Sequence, residues 1–278
     1  MKKISTLFLS SILCIALANA QGLQTPAPSP TQTVKQDFGI STVEISYSRP
    51  AVKGRTVFGE LVPYGKVWRT GANNATTVTF GSDVTIAGTL VKAGKYGLLT
   101  IPEASEWTII ISKQTNVTSA DAYKESEDVV RVKATTMLMP FSIESFSIMM
   151  SDIKSTSMNI FLMWDRTAVS FPVSVDVDSK VMSQIDNLMN KDNKPYYNAA
   201  SYYFDNGKDL KQAKIWAEKA VELNAKAYWI SHLLAKINAK LGDKAGAIAA
   251  ANKSMTLAKE AKNDDYVKLN EDLINSLK

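Results

Sequence analysis

The chain has 278 residues, a formal net charge of +5, one histidine and one cysteine. This length is sufficient for two domains, and so small an excess of positive charge argues against a nucleic-acid-binding protein. The cysteine, Cys14, lies close to the N-terminus. The rest of the chain can therefore form neither a disulfide nor a cysteine-ligated metal site.

Residues 1–20 have the features of a Sec signal peptide. Two lysines precede an apolar run that ends in Ala18-Asn19-Ala20, a cleavage site of the A-x-A type. The apolar run is shorter than the ~20 residues that a membrane-spanning helix needs. We therefore expect export through Sec, cleavage after Ala20 and a mature chain without a transmembrane segment. Loss of the two lysines lowers the net charge from +5 to +3.

The region after the signal peptide is predicted to be a linker followed by an all-β domain. Prolines alternate with other residues in 21–32, which favours an extended linker. From 33 to 177, short runs such as Thr42–Tyr47 alternate apolar and polar residues and are separated by turn residues. Asp165-Arg166 is interpreted as a hairpin turn between two of these strands. The pattern predicts an antiparallel β-sandwich, jelly-roll-like in its topology.

The apolar spacing becomes helical in residues 178–278, where the chain repeats itself with a period of 34 residues. Ala213 pairs with Ala247 and Ala217 with Ala251, and small residues at such offsets allow helices to approach closely. The segment resembles two tetratricopeptide repeats with a final helix as a cap. His232 is interpreted as a packing or surface residue. Such repeats commonly bind proteins, so a protein partner is expected here.

The segment from Arg49 to Ala75 interrupts the strand pattern and is the predicted functional loop. It contains five basic residues and one acid, Glu60. Clustered guanidinium groups favour a carboxylate or phosphate, so the loop predicts a pocket for an anionic small molecule or glycan. The predicted site residues are Arg49, Lys53, Arg55, Tyr64, Trp68, Arg69 and Asn73. Alternatively, the arginines bind carbonyl groups of their own loop and hold it in shape.

Several motifs of the β region resemble the family called domain of unknown function 2911. They are Tyr47-Ser48-Arg49-Pro50, Lys53-Gly54-Arg55, Leu61-Val62-Pro63-Tyr64-Gly65, Trp68-Arg69-Thr70-Gly71-Ala72-Asn73, Ala93-Gly94-Lys95-Tyr96 and Trp164-Asp165-Arg166-Thr167. The resemblance covers about residues 26–177. It implies a periplasmic, surface or secreted protein of a Gram-negative bacterium, with no known activity. Asn74 departs from the family pattern, in which an acid often occupies that position.

No motif predicts a cofactor, a histidine-based metal site or a phosphate-binding loop. We expect a non-enzymatic envelope protein that binds a ligand or a protein partner. The alternative is a hydrolase of envelope or dietary glycans, because a glycosidase needs only two carboxylates. The candidates for that pair are Glu44, Glu60, Asp83, Glu144, Asp152 and Asp165. In a third interpretation the Arg49–Ala75 loop only closes one end of the sandwich.

Overall fold

The computed structural model describes residues 25–278, which form two compact units. The first unit ends at Val175 and the second begins at Asp176. The predicted signal peptide and its cleavage site lie outside the described residues. Two antiparallel sheets are followed by six helices, which confirms the predicted fold class. No helix in the described part is long and apolar enough to cross a membrane.

The β unit contains ten strands in two sheets. The six-stranded sheet has the order β1-β2-β3-β6-β7-β8, and the four-stranded sheet has the order β5-β4-β10-β9. The strands are β1 (Thr31–Phe38), β2 (Ser41–Ser48), β3 (Thr77–Phe80), β4 (Val84–Ile86), β5 (Thr89–Val91), β6 (Gly94–Ile101), β7 (Glu106–Ser112), β8 (Asp128–Thr135), β9 (Met137–Ser151) and β10 (Ser157–Ser174).

Alternating apolar side chains of the two sheets form the core between them. Ile45 of β2, Ile109 of β7 and Ile160 of β10 are all fully buried, as the period of two along a strand requires. Tyr47 connects the sheets directly, because its hydroxyl accepts a hydrogen bond from the Ile148 amide at 2.9 Å. The alternation read from the sequence therefore identifies the buried face.

Two sequence-based boundaries in the β unit were wrong. β1 begins at Thr31, which pairs with Ser48, so the last two residues of the predicted linker (21–32) belong to a strand. Asp165 does not lie in a hairpin turn, because β10 continues through it from Ser157 to Ser174. Its φ of 50° and the register shifts on either side mark a bulge, and aspartate tolerates this conformation.

The connection between β7 and β8 folds back over the outer face of the six-stranded sheet. Val117 and Tyr123 of this connection cover the buried side chains of Leu99 and Ile110. The crossing depends on Gly97 of β6, since a Cβ there would lie 2.1 Å from the backbone oxygen of Gln114. This close approach explains why glycine occupies the middle of a strand.

The helical unit contains six helices joined by short connections. They are α1 (Val177–Met189), α2 (Tyr196–Asp205), α3 (Leu210–Leu223), α4 (Tyr228–Lys240), α5 (Lys244–Glu260) and α6 (Asp264–Ser276). Helix α1 begins one residue before the predicted helical region (178–278), because the Asp176 carboxylate accepts a hydrogen bond from the Ser179 amide.

The 34-residue period corresponds to a repeated packing arrangement. Ala213 and Ala217 of α3 and their counterparts Ala247 and Ala251 of α5 are fully buried. Gly207 and Gly242 follow the first helix of each hairpin with φ values of 64° and 82°, a conformation that favours glycine. The small residues therefore lie where helices approach closely, as the sequence predicted.

Candidate functional site

The Arg49–Ala75 loop connects the two sheets at one end of the β unit. Near its start, Ala51 forms a β-bridge with Ser145 of β9 in the four-stranded sheet. Near its end, Trp68 forms a β-bridge with Thr100 of β6 in the six-stranded sheet. The loop is thus held by backbone pairing on both sides.

Two aromatic side chains of this loop join three others from the strands to form an aromatic cluster. The members are Phe58, Trp68, Trp107, Phe146 and Trp164. Trp68 stacks on Trp164 with ring centroids 5.8 Å apart, and its ring meets the edge of Phe146 at 5.1 Å. Trp107 and Trp164 are each 1% exposed and belong to the core of the β unit. Trp68 therefore packs against core side chains while it stays partly exposed, and its role in a pocket stays a prediction.

The three arginines of the predicted pocket donate hydrogen bonds to atoms of the protein itself. Arg49 donates from Nε to the Phe146 oxygen at 3.0 Å and from a terminal nitrogen to Ser147 Oγ at 2.8 Å. Arg55 donates to the backbone oxygens of residues 51 and 52 in its own turn. Arg69 donates to the Thr118 oxygen, while its Nε is buried and has no hydrogen-bond partner among residues 25–278. These contacts hold the loop to β9 and to the β7–β8 connection.

Arg49→Ala is expected to destabilise the β unit by about 1.5–3 kcal/mol, because hydrogen bonds from a charged donor to β9 are lost and their acceptors remain partly buried. Urea unfolding, monitored through hydrogen exchange of the β9 amides, measures this change in the free energy of unfolding. Arg55→Ala is the matched control, since its two hydrogen bonds stay within one turn and do not reach β9. An unchanged stability for Arg49→Ala would show that the contact to β9 contributes nothing.

The remaining predicted pocket residues do not converge on one point. The Lys53 side chain is exposed, and its backbone amide donates to Glu144 Oε1 at 2.9 Å. Tyr64 is exposed and packs beside Gly59, while Asn73 donates to the Ser29 oxygen at 3.0 Å. No hydrogen bond or cation–π contact joins these three side chains to the arginines within residues 25–278. The anion pocket stays a prediction.

Four of the six carboxylates considered for hydrolysis have local partners. Glu144 accepts from the Lys53 amide, and Asp165 accepts from Ser142 Oγ at 2.8 Å. Asp83 forms an ion pair with Lys92 at 2.9 Å, and Asp152 accepts from Asn159 at 2.9 Å. These bonds close bulges and turns, which is a structural use of carboxylates.

A hydrogen-bonded pair of titratable side chains in the β unit, Tyr123 and Asp128, was not predicted from the sequence. Asp128 begins β8, and its side chain accepts a hydrogen bond from the Tyr123 hydroxyl at 2.5 Å. Burial raises the pKa of Asp128 and the pKa of Tyr123 above their usual values. Arg131 Nε lies 3.7 Å from the same carboxylate. The pair fastens the β7–β8 connection to the sheet, and only the folding back of that connection brings the two residues together.

In the helical unit, a stripe of side chains on α4 and its neighbours forms what we call the lysine–aromatic face. It consists of Phe204 from α2, Trp229, His232, Lys236 and Lys240 from α4, and Tyr266 from α6. The α4 residues share one side of the helix because they are three or four positions apart. Trp229 is 37% exposed on this side.

Two ammonium groups of this face lie over the same aromatic ring. The Nζ atoms of Lys236 and Lys240 are 4.7 and 5.2 Å from the centroid of Phe204. A cation within about 6 Å of a ring centroid is attracted by the negative face of the ring. Neither lysine has a carboxylate within 4.0 Å in residues 25–278. The face therefore carries two positive charges that no acid of the described chain neutralises.

His232 is partly buried beside this pair and belongs to a polar network. Its Nδ1 lies 2.8 Å from Oδ1 of Asn270, a fully buried residue of α6. Asn270 in turn donates to Ser254 Oγ of α5 at 2.9 Å, and Ser254 donates to the Tyr228 oxygen of α4 at 2.7 Å. Burial lowers the pKa of His232 below its usual value. The prediction of a packing or surface residue thus omitted a network that connects three helices.

The described residues contain no group of three or more histidine, cysteine, aspartate or glutamate side chains that could hold a metal ion. No curated protein and no solved structure matches the chain. The family model described as "Protein of unknown function (DUF2911)" matches residues 29–173, more than half of the chain and nearly all of the β unit. The chain therefore belongs to the DUF2911 family.

Proposed function

We propose that this is an exported, non-enzymatic protein of the Gram-negative cell envelope that binds acidic polypeptide segments through its lysine–aromatic face. The observation that carries the proposal is the position of Lys236 and Lys240 over one aromatic ring, with no acid within 4.0 Å in the described part of the chain. An extended peptide with carboxylate side chains supplies the missing negative charge. The tetratricopeptide-like period of these helices is consistent with peptide binding.

Charge complementarity favours this occupant over an apolar one. Lys208 and Lys214 of the helical unit pair with Asp178 at 2.7 Å and with Asp243 at 3.1 Å. Lys236 and Lys240 have no acid within 4.0 Å in residues 25–278, and they lie on a face that also exposes Trp229. Aromatic surface combined with cationic groups is typical of sites that bind acidic peptides.

For the β unit we propose a structural role of the Arg49–Ala75 loop. The support is that its arginines donate to atoms of the protein and that Trp68 packs in the aromatic cluster. In this account the loop closes one end of the sandwich.

Export is proposed from the sequence of residues 1–20. N-terminal sequencing of the protein recovered from the cell envelope is expected to begin at Gln21. A protein that retains its first residues would contradict the proposed cleavage.

The binding proposal is tested with the mature chain and a fluorescent oligo-aspartate peptide. The double variant Lys236→Glu/Lys240→Glu is expected to weaken binding by at least about tenfold, because attraction becomes repulsion. Fluorescence anisotropy at low salt measures the affinity.

The matched control is Lys253→Glu/Lys259→Glu, which changes the net charge equally on two exposed residues of α5. Its affinity for the peptide is expected to stay within about threefold of the wild-type value, since the change alters only the long-range electrostatic field. Equal losses of affinity in the two double variants would contradict a specific binding site. Binding of an anionic glycan or lipid vesicle but not of the peptide would also overturn the proposal.

A further inference from the structure

The polar network around His232 fixes which ring nitrogen carries the proton. The amide nitrogen of Asn270 is already a donor, both to Ser254 Oγ at 2.9 Å and to the Tyr266 oxygen at 2.6 Å. The oxygen of the Asn270 amide is therefore the atom that faces His232, and it can only accept. The neutral imidazole must donate from Nδ1, which leaves the lone pair on Nε2.

Nε2 of His232 is available to a ligand. It makes no hydrogen bond within residues 25–278, and it is not among the fully buried polar atoms that lack a partner. Lys236 follows on the same side of α4, and the ring of Tyr266 meets the imidazole edge at 5.5 Å between centroids. From α5 the network contributes the uncharged Ser254, and from α6 the uncharged Asn270 and the phenol Tyr266.

We propose that Nε2 of His232 takes up a proton when the lysine–aromatic face binds an acidic peptide, and then donates a hydrogen bond to a carboxylate of that peptide. This inference rests on the proposed function and adds a regulatory property to it. The proton comes from solvent and forms an N–H bond at Nε2, and no other covalent bond forms or breaks. Because Asn270 holds the ring through Nδ1, protonation at Nε2 leaves the network intact.

The sign of the pH dependence follows from the free and bound states. In the free protein, burial and the charge of Lys236 lower the pKa of His232 from its usual value of 6.5. The ring is then neutral at pH 7, and protonation of the free fold costs stability as the pH falls below 6.5. A bound carboxylate favours the charged ring and raises its pKa. Binding therefore becomes tighter as the pH falls, by up to about tenfold per pH unit for one proton.

The first measurement uses the fact that the chain has one histidine, so that its imidazole signal in an NMR spectrum needs no assignment. Titration of the mature chain with and without oligo-aspartate is expected to show that the peptide raises the pKa of His232 by about one unit or more. A pKa that the saturating peptide leaves unchanged would overturn the inference.

The second measurement compares the wild type with His232→Asn, whose side-chain amide can still donate to Asn270 but does not titrate. Between about pH 8 and about pH 5.5, where aspartate side chains stay ionised, the wild-type affinity is expected to rise by about threefold or more. The variant is expected to match the wild type at the higher pH and to lose the increase. The same increase in both proteins would refute proton uptake at His232.

The outcomes separate this inference from the proposed function. If the peptide binds, depends on Lys236 and Lys240, and shows no pH dependence, then only the role of His232 fails. If the peptide does not bind, or binds equally well to Lys236→Glu/Lys240→Glu, the proposed function fails and the inference with it.

Discussion

Trp68→Ala is expected to destabilise the β unit by about 2–4 kcal/mol, somewhat less than the truncation of a fully buried tryptophan, because Trp68 is partly exposed. Trp68 stacks on Trp164 and meets Phe146 and Phe58, so that the truncation opens a cavity among rings of both sheets. Hydrogen exchange of the β-unit amides during urea unfolding measures the loss. A probe with regional resolution is needed because two units need not unfold together.

The control for this prediction is Leu61→Ala in the same loop. Leu61 is 41% exposed, so its truncation is expected to change the stability by less than about 1 kcal/mol. A small effect of both substitutions would indicate that the loop is not part of the core. In that case the prediction of an anion pocket walled by Trp68 would regain support.

Gly97→Ala is expected to cost about 3 kcal/mol or more, or to prevent folding of the β unit. The added Cβ would lie 2.1 Å from the Gln114 oxygen, which is backbone and cannot move without displacing the connection that covers the sheet. Hydrogen exchange of the β6 and β7 amides is expected to become faster in the variant.

Gly88→Ala provides the comparison for a glycine without such a neighbour. A Cβ at Gly88 meets nothing within 4 Å, and only its φ of 79° disfavours alanine, at a cost of about 1 kcal/mol. Similar losses of stability in Gly88→Ala and Gly97→Ala would mean that the close approach of Gln114 to Gly97 does not limit the residue at this position.

The sequence predicted those features that depend on local periodicity. Alternation identified the strand around Ile45, and the 34-residue period placed Ala213 and Ala247 in equivalent buried positions. The same period also relates Asp209 and Asp243, whose carboxylates accept hydrogen bonds at the first turns of α3 and α5. These two caps could have been recognised from the sequence, because aspartate is favoured before a helix.

Features that depend on distant residues could not be predicted in this way. The basic residues of the Arg49–Ala75 loop indicated an anion site, but the acceptors of Arg49 lie almost 100 positions away on β9. The lysine–aromatic face likewise combines Phe204 with Lys236 and Lys240 from a different helix. A bulge and a turn at Asp165 also have the same local sequence signal, and only pairing with β9 distinguishes them.

Hydrogen exchange of the mature chain with and without oligo-aspartate locates the peptide on the protein. We expect slower exchange in α2, α4 and α6, which supply the lysine–aromatic face, and no change in residues 49–75. Protection confined to residues 49–75 would contradict the proposed function, because the peptide would then occupy the arginine-rich loop. Absence of protection in both regions at a saturating peptide concentration would equally reject the proposal.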